Sequence, residues 1–221
     1  MKQVIGHRGA AGLALENTRA AIKKGLALGA SMLEIDVRRS HDGVLLLCHD
    51  PDLERIAGDK RRVADLNWAE LRQIELRDGN HLISLVDVLK LVGSQPMMIE
   101  MKVGGTADEL LAVLDKFPDG NFSIASFKRN LLIELRKLRP GLSLYVLEHH
   151  NVFDAVQFAR RHRLQGIGLN FWLLHPLAYH AARRAEVKIY LYTVNHRFLA
   201  WFLRLLYPTA TICTDHPERF V

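Results

Sequence analysis

Ser31-Met32-Leu33-Glu34-Ile35-Asp36-Val37 is an apolar run that carries two acids two residues apart. A β-strand turns alternate side chains to one face, so both carboxylates point the same way. A second run, Pro96-Met97-Met98-Ile99-Glu100-Met101-Lys102-Val103, stays apolar until Glu100 and Lys102 at its C-terminal end. Charge gathered at the C-terminal ends of otherwise buried strands predicts an α/β barrel, where chemistry collects at that mouth because the loops there are free to vary.

Working outward, strands are expected near 3–7, 32–38, 96–102, 122–126, 142–147, 166–170, 188–193 and 210–214. Amphipathic helices are expected between them near 84–93, 106–116, 128–138, 152–162, 175–185 and 196–206. The first helix has Asn17 or Thr18 as its cap, Ala21, Ile22 and Leu26 on one face, and Gly29 at its end. Right-handed crossovers close such units into an eight-stranded ring, a TIM (β/α)8 barrel. With 221 residues and 49% hydrophobic content, residues 1–221 are expected to form a single α/β domain. The sequence ends soon after the last strand, so the final outer helix is expected to be truncated, with that side covered by Phe220 or by another subunit.

One excursion after the second strand breaks the alternation. Gly43 to Asp50 reads as a strand turned by Asp42-Gly43 that doubles back and delivers His49 to the mouth. Residues of about 51–80 read as a small cap insertion, with one short helix near Asn67 to Ile74 and Asn67 and Glu70 spaced as a capping box.

Carboxylates in an apolar strand are costly to desolvate unless something positive faces them. Glu34, Asp36 and Glu100 are three hard oxygen donors that suit one divalent cation, Mg2+ or Ca2+, and no Cys/His cluster at zinc spacing is present. The alternative is a buried salt-bridge network in which Arg8 and Lys102 neutralise the acids without a metal. Two histidines ending strands beside the same acids favour the metal site. His7 and His49 are the candidate general acid and base, because imidazole titrates near working pH and two such groups can remove one proton and supply another. Arg8 and Lys102 are candidate substrate-binding groups that grip phosphate oxygens and offset charge on the phosphoryl group. Glu16 and Asn17 are expected to steady the His7-Arg8 loop. Ser126, Asn170, Asn195 and Asp215 either contact substrate hydroxyls or cap the next helix, and Phe171-Trp172 either walls the pocket or packs between barrel and helix. The remaining histidines, His149 among them, read as loop or surface residues, with His216 intermediate.

In order, Gly6-His7-Arg8-Gly9-Ala10, Leu15-Glu16-Asn17-Thr18, Glu34-Ile35-Asp36-Val37, His49-Asp50 and Glu100-Met101-Lys102 resemble the motifs of the glycerophosphodiester phosphodiesterase family over most of the chain. The resemblance implies metal-dependent hydrolysis of glycerophosphodiesters to glycerol 3-phosphate and an alcohol. It supports His7 and His49 as the acid–base pair, and it implies that the insertion is the one the family carries at this point. Two departures stand out: Leu15 replaces a proline, and Leu53-Glu54-Arg55-Ile56-Ala57-Gly58 replaces a more common Leu-x-Arg-Thr-Thr-Gly. Both bear on loop geometry, and neither touches a proposed ligand. A lyase that forms a cyclic phosphate and a catalytically silent phosphate-binding barrel are the competing functions.

A formal charge of +6 raises the question of nucleic acid. The basic runs at 60–62, 160–163 and 183–184 lack aromatic interleaving, so no nucleic-acid partner is expected and the charge reads as steering of an anionic substrate. The sequence shows no apolar run of membrane-spanning length and no signal peptide before the first strand. Cys48 and Cys213 read as core residues, which fits a cytoplasmic location. A homo-oligomer is compatible with the thinly covered side of the ring.

Overall fold

A computed structural model describes residues 4–220, so Met1-Lys2-Gln3, with the first residue of the expected opening strand, and Val221 lie outside the described residues. The strands are β1 (Val4–Gly6), β2 (Met32–Arg39), β3 (Leu45–Leu47), β4 (Asp52–Leu53), β5 (Asp59–Arg62), β6 (Met97–Met101), β7 (Phe122–Ser126), β8 (Ser143–Glu148), β9 (Gly166–Asn170), β10 (Lys188–Tyr192) and β11 (Thr211–Thr214). Eight of them, β1, β2 and β6 to β11, pair in parallel, and β1 bonds to both β2 and β11. The ring is therefore a closed (β/α)8 barrel with no free edge.

Alternation along each strand divides the core in two. Leu33, Ile35 and Val37 of β2 face outward into the large cluster between sheet and helices, as do Met97, Ile99 and Met101 of β6. Inside the ring, Ile5, Met98, Ala125, Leu147, Tyr190 and Cys213 form a separate, smaller cluster. The helices follow from the same patterning. Leu85–Val92 buries Leu85, Val88, Leu89 and Val92 at helical spacing, and the Ser84 hydroxyl accepts from the Asp87 N–H at 3.1 Å as its cap. Helices Ala107–Leu114, Arg129–Leu138, Val152–Arg161, Pro176–Arg184 and Arg197–Leu206 fall within a residue or two of their expected bounds.

After β2 the chain turns at Gly43 and β3 runs back antiparallel. The expected strand over 43–50 is shorter, because residues 48–50 leave the sheet to enter the mouth. The following segment contains helix Glu54–Ala57, the β4–β5 pair, and a four-residue helix, Trp68–Leu71, where a longer one was expected. The Asn67 N–H donates to Glu70 Oε2 at 3.0 Å, as the capping-box spacing predicts. Leu46, Cys48, Leu53, Ile56, Val63 and Leu71 give this segment a small core of its own. Beyond β11, the described residues hold only the single turn Pro217–Arg219.

Candidate active site

The turn after β1 is tied to β2 by one acid. The Arg8 N–H donates to Glu34 Oε2 (2.9 Å) and the Gly9 N–H donates to the Glu34 carbonyl (3.0 Å). Arg8 has φ 50°, a left-handed conformation that costs a side-chain-bearing residue roughly 1–2 kcal/mol. Gly9 follows at φ 88°, and a Cβ there would meet the Ala21 backbone at 2.6 Å. Only glycine fits this step.

Glu34 and Asp36 both point into the barrel, and Asp36 stands opposite Glu100 in the β2–β6 register. One carboxylate oxygen from each of the three lies within 4.8 Å of the others. The salt bridges weighed against a metal are present: Arg8 Nε is 3.1 Å from Asp36 Oδ2, Lys102 Nζ is 2.8 Å from Asp36 Oδ1, and Lys102 also pairs with Glu100. They leave one acid out. Among the described residues no lysine or arginine side chain pairs with Glu34, whose Oε1 is buried without a hydrogen-bond partner. Burial and the neighbouring Asp36 charge push Glu34 up to about 8. At Asp36, burial is outweighed by Lys102 and Arg8, which hold it at about 2. A converging set of hard oxygen donors with one member uncompensated fits a divalent cation.

His7 and His49 share with Glu34 and Glu100 a cavity of about 140 Å³, also lined by Arg8, Lys102, Phe127, His149, Tyr190, Tyr192, Thr193 and Cys213, with Asp36 buried behind it. Each ring is held at one nitrogen, His7 Nδ1 against Asp215 Oδ1 at 2.6 Å and His49 Nδ1 against Asp50 Oδ1 at 2.7 Å. That bond fixes the tautomer and leaves Nε2 for chemistry. The two rings differ in charge preference. Burial alone would lower His7, but the bond to Asp215 and the Glu34 charge outweigh it and raise its pKa. Burial lowers His49, and Lys102 and Arg8 add to that against the pull of Asp36.

The sequence pointed to some supporting residues and missed others. Asn17, expected to steady the His7-Arg8 loop, meets it through its backbone N–H, which donates to the Arg8 carbonyl at 3.1 Å; from φ 57° its side chain holds β2 instead, Nδ2 donating to Asp36 Oδ2 at 2.8 Å and Oδ1 accepting from the Asp36 N–H at 3.0 Å. Thr18 is therefore the helix cap, accepting from the Ala21 N–H at 3.2 Å. Asp215 orients His7, and Asn195 in turn donates to Asp215 Oδ2 at 2.7 Å, so both are turned toward the histidine. Arg38 was missed although it continues the Glu34-x-Asp36-x-Arg38 alternation; its Nε and Nη2 donate to the His49 carbonyl at 3.0 and 2.8 Å. Arg55 was missed too. From the insertion it joins Glu16, which also pairs with Arg8, to Asp50. His149, read as a loop residue, lines the cavity with its ring stacked on Phe127 at 4.2 Å. Trp172 does not line this cavity; it is 81% exposed on the loop after β9, its ring 4.6 Å from Phe171.

A larger cavity, about 560 Å³, opens at the other end of the ring between residues such as Ser31, Asn121, Ser143, Lys188 and Thr211. It lies at the N-terminal ends of the strands and contains no carboxylate or imidazole, so size alone would choose the wrong end.

A family model for the glycerophosphoryl diester phosphodiesterase family matches residues 7–219. The chain belongs to that family. A glycerophosphodiester phosphodiesterase of Caldanaerobacter subterraneus subsp. tengcongensis is 26% identical over 212 residues, covering 88% of this chain and 86% of that protein. The crystal structure of a glycerophosphodiester phosphodiesterase from Thermotoga maritima, 28% identical, matches with a TM-score of 0.86 over 100% of this chain and 97% of its own. A phosphodiesterase of Oleispira antarctica in complex with the product sn-glycerol-3-phosphate, 22% identical, has the same fold, with a TM-score of 0.92 over 99% and 95% of the two chains. Family membership weighs against a silent phosphate-binding barrel, since His7, Arg8, Glu34, Asp36, His49, Glu100 and Lys102 are all in place at one mouth.

Proposed function

We propose that this family member hydrolyses glycerophosphodiesters to glycerol 3-phosphate and an alcohol, with His7 and His49 as its proton carriers. The observation that carries the reading is the convergence, around one small cavity, of two carboxylate-anchored imidazoles with Glu34, Glu100, Arg8 and Lys102. The product complex of the Oleispira antarctica relative supports the same substrate class.

Glu34, Asp36 and Glu100 would hold one Mg2+ or Ca2+, which supplies a positive centre to polarise the phosphoryl oxygens and favour deprotonation of the attacking group. The protein's own groups do the rest. Arg8 and Lys102 stand beside the acids and offset the charge that builds on phosphorus as the reaction proceeds. His49, kept neutral by burial and the neighbouring cations, takes the proton of the attacking water; a new P–O bond forms while the bond to the alcohol breaks in line with it. His7, kept protonated by Asp215, donates its proton to the departing alkoxide. The cavity is small beside the roughly 300–1,000 Å³ of sites that enclose drug-sized ligands. It is large enough for the phosphoryl end, and the leaving alcohol would extend beyond it toward the rim.

The test is turnover of glycerophosphocholine by protein stripped with chelator and then resupplied with Mg2+ or Ca2+. We expect no choline release without the ion, and release of choline with glycerol 3-phosphate on its return. Undiminished turnover after exhaustive chelation overturns the metal. Absence of turnover on any glycerophosphodiester with either ion overturns the activity.

A further inference from the structure

We propose that the flank of the barrel built on helix Arg197–Leu206, continued at the mouth by Trp172 and Leu177, docks onto an anionic phospholipid surface. The helix reads Arg-Phe-Leu-Ala-Trp-Phe-Leu-Arg-Leu-Leu and buries Ala200 and Leu203 against the barrel. Phe198, Trp201, Phe202, Leu205 and Leu206 form a stripe at spacings of three and four on its other side, and all five are exposed. A soluble surface helix presents polar residues there. A stripe of Trp, Phe and Leu bordered by arginine is the pattern of a helix that lies in a membrane interface.

Topology carries the stripe to the mouth. β9 and β10 pair in parallel, so the loops after Asn170 and Tyr192 emerge side by side. Thr193, on the second loop, lines the active-site cavity, and the helix begins four residues later. The first loop carries Trp172, and Leu177 lies in the first turn of its helix; both are exposed. The apolar surface thus starts at the rim and runs down the flank with Phe198 nearest the mouth.

Charge selects the occupant. Between residues 155 and 214 the sequence has one carboxylate, Glu186, against Arg160, Arg161, Arg163, Arg183, Arg184, Lys188, Arg197 and Arg204. All but Arg204 of these cations are exposed; Arg197 stands at the mouth end of its helix, and the six from Arg160 to Lys188 lie toward the opposite end of the ring, at or just past helix C-termini and at the start of β10. A second copy docked face to face would bring two basic quadrants together. An anionic bilayer complements both the charge and the apolar stripe. Docked so, the mouth opens beside the headgroups. That the mouth is catalytic rests on the reading of the preceding section; the docking does not, since it is measured without turnover.

Sedimentation with vesicles of phosphatidylcholine alone and of phosphatidylcholine with 30% phosphatidylglycerol tests the proposal. We expect the wild-type chain to pellet with the anionic vesicles, to stay in solution with the neutral ones, and to be released by 0.5 M salt. Phe198→Ser/Trp201→Ser/Leu205→Ser should lose at least tenfold in vesicle partitioning. Its melting temperature and its turnover of soluble glycerophosphocholine should match wild type, because none of the three side chains lies in the cavity or the core. Three results overturn the proposal: no binding of the wild-type chain to anionic vesicles, unchanged binding of the triple variant, or a wild-type dimer in sedimentation equilibrium that the triple variant converts to monomer. Tighter binding to a single-stranded oligonucleotide that displaces the vesicles overturns it as well.

Discussion

Two layers of side chains inside the barrel come from the same strands and differ in what they require. The lower layer, Ile5, Met98, Ala125, Leu147, Tyr190 and Cys213, is buried and apolar apart from its Tyr hydroxyl and Cys thiol. Each apolar member removed from water contributes roughly 1.5–3 kcal/mol and needs no partner outside the ring. One step of strand alternation above Met98 comes Glu100 with Asp36 opposite it in register, and Glu34, opposite Met98, reaches up into the same cluster of three acids. There burial works against the charged forms, Arg8 and Lys102 offset part of the cost, and Glu34 keeps an unpartnered oxygen. Identical backbone geometry thus serves two ends: the lower layer holds the ring together, and the upper layer gathers charged groups at a cost to stability. Substitutions in the upper layer should register in turnover, and those of Ile5, Met98, Ala125 and Leu147, which do not line the active-site cavity as Tyr190 and Cys213 do, in stability alone.

The largest effects are expected at the two histidines. His7→Ala and His49→Ala should each lose about 10²–10⁴ in kcat on glycerophosphocholine, the range for a positioned acid or base. If His7 protonates the leaving oxygen, its loss should be severe for choline and mild for a nitrophenol ester, whose leaving group needs no proton. Replacement of His49 should slow both substrates alike. The reverse pattern exchanges the two roles, and near-normal rates for both variants would break the division of the barrel into a reactive and a structural layer.

The fold was legible in the sequence because strands buried on both faces and helices with one apolar face leave separate periodic signatures, and β6 to β11 with their helices each carry one. Within the site, legibility followed alternation. Glu34, Asp36, Glu100 and Lys102 are one or two steps apart on two strands, and strand geometry alone brings them to one side. Arg38 lay on the same alternation and was open to the same argument. Asp215 and Asn195 were recognised as strand-end polar residues, but His7, which Asp215 bonds while Asn195 holds Asp215 from behind, is some two hundred residues from Asp215 in sequence and comes near only when β1 pairs with β11. His149 sits on irregular backbone and Arg55 on a four-residue helix, too short to leave a period that announces which way a side chain turns. The insertion was harder still: its short helices are fixed by a local core and a left-handed Gly58.

A smaller loss is expected where a residue acts on the upper layer from behind. Asp215→Asn keeps the shape beside His7 Nδ1 but removes the charge that stabilises the imidazolium. Orienting partners of this kind are worth about 10–100-fold. The pH profile distinguishes that role from a structural one. Since Asp215 raises the His7 pKa, its loss should move the limb that reports the protonated acid to lower pH, with the limb reporting the base unmoved. A uniform fall in rate with both limbs in place would show that Asp215 holds structure only.

The response of cation-free protein to pH, read in stability and not in rate, separates the layers most directly. Folded Glu34 keeps its proton up to about pH 8, against an ordinary value of 4.5 when exposed. Between those values the folded state binds more protons than the unfolded state, so the Glu34 contribution to stability falls as pH rises, by at most about 1.4 kcal/mol per unit. Glu34→Gln cannot ionise and should remove that part of the slope in melts run in chelator from pH 5 to 8.5, becoming more stable than wild type toward the alkaline end. The same change should abolish any stabilisation by added Mg2+ or Ca2+. Met98→Ala, two positions before Glu100 and in the lower layer, should instead cost about 2–5 kcal/mol. That cost should be the same at every pH, leaving the slope and the rate per folded molecule as they were. A Glu34→Gln protein whose stability ran parallel to wild type across this range would mean that the upper layer is neutralised as fully as the lower one is packed, and that the carboxylates have no need of a further cation.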